Sequence, residues 1–175
     1  MNKIIYLFLF ITFAYGDIQT DIYKNAQKHI GETYWAKKKE RQAEGNEHVF
    51  FKKGEWKCNL FVYEMILDSG YDIGTPNKMS CFKHPILCYR DQAKRPPCVS
   101  DWKNEEVPGF ELIGEGDEGK NLSKKGDIIA AGTHVGIISG EKKTISANEK
   151  EIVENDWGFR GDEEDVKIFR YVGDE

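Results

Sequence analysis

Positive charge is what this 175-residue chain has too little of. Its 25 Lys and Arg stand against 30 Asp and Glu, a formal charge of −5. Phosphate binding needs a basic face, so nucleic acid is excluded as the main partner. Long apolar runs are nearly absent. The one such run, Ile4 to Phe13, is too short to cross a bilayer. Internal repeats and low-complexity tracts are missing, which excludes solenoids and linkers. Histidine and cysteine are scarce at four each. The group Cys81, His84, Cys88 and Cys98 fits no familiar zinc-finger spacing, and no metal or cofactor is expected.

The apolar run has the anatomy of a secretory leader. Lys3 supplies the charged start, and Ala14-Tyr15-Gly16 reads as a small-x-small cleavage site. Residues 1–16 are therefore expected to be a signal peptide, and 17–175 a single secreted domain with one core. No membrane contact is expected once the leader is removed, and the mature chain is read as a monomer. Loss of Lys3 takes the formal charge from −5 to −6. Capture of a substrate must then come from a cleft, not from overall charge. Cysteines in secreted chains are usually paired, so a disulfide is expected. Asn121-Leu122-Ser123 is a glycosylation sequon in an expected surface loop.

The stretch that organises the chain begins at Gly54-Glu55-Trp56-Lys57-Cys58. After Cys58, apolar residues recur at Phe61, Val62, Met65 and Ile66, the spacing of one helix face, and Gly70 ends the pattern. Cys58 thus opens a helix, where the partial positive charge favours a thiolate. A second stretch, Lys125 to Ser139, reads as strand, turn, strand, with His134 opening the second strand. A cysteine nucleophile needs an imidazole to take its proton and return it. Cys58 and His134 are the candidate nucleophile and general base, with the thiolate and imidazolium expected to stabilise each other. The Cys58 backbone N–H is the candidate oxyanion donor. A hairpin through Gly140-Glu141-Lys142 would bring residues near Ser146 to Asn148 beside His134. Asn148 is the chosen third catalytic residue, because its amide oxygen can accept from the ring; Ser146 is the alternative. Trp56, Trp102 and Trp157 are candidates to line a cleft, although tryptophan packs in cores more often. Trp56 and Trp157 are the two chosen as substrate-binding.

The remaining chain supplies an α+β frame. Asp17 to Ile30 reads as a helix with Ile18, Ile22, Ala26 and Ile30 on one face, ended by Gly31. Lys37 to Asn46 is a solvated helix extension or a loop. Asp72 to Val107 carries Pro76, Pro85, Pro96 and Pro97 and lacks periodicity, so it reads as a long loop. Strands are expected from Phe110, then at about 127–131, 134–139, 143–147, 151–153 and 166–172. The acidic 162–165 stretch reads as a solvated turn. Helices first and strands second indicate an antiparallel sheet.

Several segments together carry a resemblance. They are Lys57-Cys58-Asn59-Leu60-Phe61-Val62, Arg95-Pro96-Pro97, Val107-Pro108-Gly109-Phe110, His134-Val135-Gly136-Ile137 and Val153 to Arg160. They resemble the NlpC/P60 group of papain-like peptidoglycan hydrolases. Within it they are most similar to the second group of type VI secretion amidase effectors and their eukaryotic domesticated relatives. The resemblance implies a papain-like fold with the nucleophile helix packed on the sheet. It implies a secreted, antibacterial cysteine amidase or endopeptidase, with bacterial peptidoglycan as partner. It also implies that the 72–107 loop walls the substrate groove and that Asn155-Asp156-Trp157-Gly158 lies near it. Cys58 as nucleophile leaves one disulfide among Cys81, Cys88 and Cys98, in any of three pairings. A papain-like acyltransferase and a catalytically dead binding module, the latter needing Cys58 in a disulfide, are the competing readings.

Overall fold

The computed structural model describes residues 18–44, 50–71, 73, 96–160 and 165–173. The leader, His48, Cys81, His84, Cys88, Arg95 and most of the acidic 162–165 stretch lie outside the described residues.

Helix α1 spans Ile18–Lys28. Strands β1 (Arg41–Gln42) and β2 (Phe50–Phe51) pair antiparallel. Helix α2 covers Cys58–Asp68 and helix α3 Val99–Lys103. Strand β3, Phe110–Glu115, is followed by helix α4, Gly116–Leu122. Then come β4 (Ile128–Ala131), β5 (His134–Gly140), β6 (Lys143–Ala147) and β7 (Ile152–Asn155). A 3₁₀ turn at Trp157–Phe159 precedes β8, Lys167–Tyr171. Six strands form one antiparallel sheet in the order β3-β8-β4-β5-β6-β7. The α+β class and all six of these strands follow the sequence reading closely.

The pleat explains the two cores. Alternate residues point to opposite faces. Ile128, Ala130, Val135, Ile137, Ile145 and Phe169 face α1 and α2. Ile129, Ala131, Ile138 and Ile168 face away, and Trp157 and Phe159 of the 3₁₀ turn pack there. The β5–β6 hairpin turns through Glu141 (φ 47°) and Lys142 (φ 60°). Two consecutive left-handed residues make the turn whose twist matches the strands.

Helix α2 departs from the amphipathic expectation. Every residue from Leu60 to Ile66 is buried, including Tyr63 and Glu64. The sheet covers one side. The 35–44 loop covers another by sending the Trp35 indole and the Arg41 guanidinium to Glu64, at 2.6 Å and 2.7 Å. Each fully buried apolar side chain of this size contributes about 1.5–3 kcal/mol. Gly70, at φ +83°, closes the helix as expected, with its N–H on the Leu67 carbonyl.

Other readings need correction. Helix α1 stops at Lys28, and Ile30 is 41% exposed, because the chain turns at 28–31 before the fourth apolar position reaches the core. Of the two readings of the stretch from Lys37, the loop holds over 37–44, with a two-residue strand in it. Two short helices were not expected. Helix α3 is held at its start by the Cys98 N–H on the Asp101 carboxylate, 2.6 Å. Helix α4 ends beside the sequon, so Asn121 is exposed in a helix instead of a loop. Trp102 is fully buried on α3 against Phe110 and Phe169, which makes it a core residue, not a cleft wall.

Candidate active site

The site forms where the start of α2 meets the start of β5. Lys57 precedes the helix and caps it with no side chain. The first N–H groups of α2 are thus left for another acceptor. The Cys58 thiol takes that place, drawing on its own N–H, the Asn59 N–H and the Val135 N–H. Val135 follows His134 in β5, so the thiol meets the strand one residue past the imidazole. Cys58 is 3% exposed and carries a free thiol.

His134 is half-buried between two indoles. The Trp157 ring meets it edge-on at 4.6 Å between centroids, and the Trp56 ring at 6.4 Å. Trp157 is held in place from behind. Its backbone N–H donates to the Asn155 side-chain oxygen at 2.9 Å. The next residue, Gly158, lies on the sheet so closely that a Cβ there would come within 2.4 Å of Ile129 Cδ1. Trp56 is 48% exposed and forms the open side of the site. Both tryptophans chosen from sequence therefore flank the imidazole.

The protonation states reverse the expected ion pair. Burial pushes the Cys58 thiol above its ordinary value, outweighing the pull of the three N–H groups. Burial also pushes the His134 imidazole down to about 4. Both groups are neutral at pH 7. The thiolate–imidazolium pair is not the resting state, because the dry setting costs more than the helix terminus returns. Among the described residues, no hydrogen bond joins the two side chains or reaches the imidazole.

The third position also differs. Strands β5 and β6 pair Ile137 with Ile145 and Ile138 with Thr144. Continuing that register puts Asn148 across from His134, as the hairpin argument required. Yet the Asn148 side-chain oxygen accepts the Lys150 and Glu151 backbone N–H groups at 2.6 Å and 2.9 Å. It shapes the β6–β7 turn, and the expected bond to the imidazole is not formed. Ser146 is buried within β6, opposite Val153 of β7. The ring is oriented by indole packing instead.

One contributor was missed from sequence. Lys57 is 1% exposed, and its ammonium donates to the carbonyls of Glu55 (3.0 Å), Ala36 (3.3 Å) and Lys52 (3.4 Å). It ties the segment carrying Trp56 and Cys58 to the 36–37 chain. Its signal was the motif itself, a lysine between Trp56 and Cys58, but helix periodicity reads lysine as solvent-facing. Cys98 has a free thiol 3.0 Å from the Ser100 hydroxyl. His29 bonds Glu32 at 2.9 Å on the far side of the loop and belongs to no site. No group of three or more metal-ligating side chains occurs among the described residues. No helix among them is long and apolar enough to cross a membrane.

Comparison with family models, with curated proteins and with solved structures gives no match. The functional reading therefore rests on the residues themselves.

Proposed function

We propose that this protein is a secreted cysteine hydrolase of the NlpC/P60 kind, which cuts an amide bond in the peptide stems or cross-links of bacterial cell wall. The observation that carries the reading is the free Cys58 thiol at the start of α2, against the backbone N–H of Val135, the residue after a His134 imidazole flanked by two indoles. The sequence resemblance supplies the substrate class. The exposed Trp56 face suits a sugar or peptide flank.

The chemistry starts from two neutral groups. His134 takes the thiol proton as sulfur attacks the amide carbonyl, so the C–S bond forms and the carbonyl oxygen becomes an oxyanion. The Cys58 N–H donates to that oxygen. The imidazolium then gives its proton to the amine nitrogen as the C–N bond breaks. Water, losing a proton to His134, attacks the thioester, and the carboxylic acid leaves with the thiol restored. A proton transfer coupled to attack needs no preformed ion pair.

The test is digestion of purified sacculi followed by mass spectrometry of the fragments. New amine and carboxyl ends from wild type, and none from Cys58→Ala, are expected. An acyltransferase would release no such pair of ends. Unchanged sacculi with wild-type protein would end the hydrolase reading.

A further inference from the structure

The chain is acidic overall, yet one hollow beside the site is basic. It holds about 270 Å³ and is lined by Lys37, Lys38, Lys53, Gly54 and Glu149. Three lysines and one glutamate line it, against a formal charge of −5 for the whole chain. The volume suits one side-chain-sized group and falls below that of pockets for whole drug-sized ligands.

The hollow is built into the site's frame. Its two walls, near residues 37–38 and 53–54, are joined by the Gly54 N–H on the Lys37 carbonyl at 2.7 Å. The Lys57 ammonium joins the same walls through Ala36 and Lys52. Lys57 is also the residue before the thiol. The Lys37 ammonium stands 4.1 Å from the centroid of the Trp56 ring, which is the ring beside His134. One indole therefore stands between Lys37 and the imidazole. Glu149 is the one acidic residue of the lining. Its exposed carboxylate lies 4.0 Å from Lys37, at the long limit of an ion pair. A better-placed carboxylate would displace it at little cost, since exposed pairs of this kind contribute little.

We propose that this hollow is a subsite for a free carboxylate of the substrate peptide, so that the protein selects stems carrying an acid next to the scissile amide over stems in which that acid is amidated. The location beside the reacting groups rests on the reading of Cys58 and His134 as a hydrolase. The charge selection itself does not.

Binding and turnover are measured separately. Calorimetry uses full-length mature Cys58→Ala protein with a synthetic stem tetrapeptide whose side carboxylates are free, and with the same peptide as carboxamides. The free acid is expected to bind about tenfold tighter, the size of one charge-assisted hydrogen bond. The preference is expected to shrink at 0.5 M salt. It should vanish in Lys37→Gln/Lys53→Gln and persist in Lys37→Arg. Inorganic phosphate at millimolar concentration serves as a competitor. Failure of phosphate to displace the peptide is expected, whereas displacement would mark the hollow as a general anion site and overturn the carboxylate assignment. Equal binding of both peptides, no binding of either, or an unchanged preference in the double variant would also overturn it. Acid-selective binding without turnover by wild type would sink the hydrolase reading and leave the subsite standing. Turnover without acid selection would do the reverse.

Discussion

Glu64 and Cys58 lie on the same helix, both are buried, and burial favours the protonated form of each. Their surroundings differ in what meets that tendency. The Glu64 carboxylate receives Trp35 at 2.6 Å, Arg41 at 2.7 Å and 3.1 Å, and the Glu44 N–H at 3.0 Å. The Cys58 thiol meets only backbone N–H groups, and its neighbour His134 meets only ring faces and edges. The first arrangement keeps a charge inside by surrounding it with donors, and so fixes the 35–44 loop. The second keeps two titratable groups neutral, with no side-chain hydrogen bond to either among the described residues. Donors saturate the ionisable group that holds structure. The thiol and imidazole proposed to react have no such side-chain donors.

The sharpest way to break this contrast is to remove each group in turn. Cys58→Ala should lower the rate of wall digestion by on the order of a thousandfold or more, while the thermal midpoint moves little, since the loss of one sulfur atom leaves a small gap. Turbidity of a sacculus suspension and a melting curve are the two readouts. Glu64→Ala should do the opposite. It strands the Arg41 guanidinium under the loop, at a cost of about 3–5 kcal/mol in chemical denaturation. Activity per folded molecule should change far less. Equal effects of both variants on activity would erase the distinction between the centres.

Acid should sharpen the contrast next, through His134. Its imidazole titrates at about 4 in the fold and near 6.5 when unfolded. Above pH 6.5 both states are neutral there. As pH falls from 6.5 to about 4, the unfolded chain takes up the proton and the folded chain does not, so stability falls. Below about 4 the loss levels off, at about 3 kcal/mol in total. Denaturation at pH 7, 5.5 and 4 should show this decline in wild type and lose it in His134→Gln. The rate should stay level down to an acid limb near pH 4, where the base becomes protonated. An acid limb near neutral pH would mean that the ring is solvated in the active protein. His134→Ala should cost on the order of a hundredfold in rate.

Much of this frame was legible because its signals are local. Glycine at 70 and apolar residues at 61, 62, 65 and 66 define α2 without reference to anything else. The β5–β6 hairpin follows from two β-rich runs and three turn residues. The two indoles chosen from sequence both flank the His134 ring. What failed was everything set by burial. Nothing local in the sequence reveals the loop that covers Glu64 and Lys57. The sign of the Cys58 shift failed for the same reason. A helix start favours the thiolate, but the covering of that start decides, and the covering comes from β5, some seventy-five positions further on. Helix α3 escaped because its cap is Cys98 with Asp101, a capping box without the usual serine or threonine.

The smallest expected effect separates a positioning role from a turn. Asn148 faces His134 in register, but its oxygen is occupied by the Lys150 and Glu151 N–H groups. If that turn is its whole task, Asn148→Ala loses about 1 kcal/mol of stability and less than tenfold in rate. Asn148→Asp, which keeps the acceptor oxygen, should restore both. If the amide swings to the imidazole when substrate binds, the result is different. Asn148→Ala would then lower turnover by far more than its stability loss explains, and the acid limb would shift, since a ring without its acceptor changes proton affinity. Asn148→Asp would shift that limb upward, because a carboxylate beside the ring favours imidazolium. Rate against pH for the three proteins, set beside their melting curves, therefore decides whether the indoles alone hold the His134 ring.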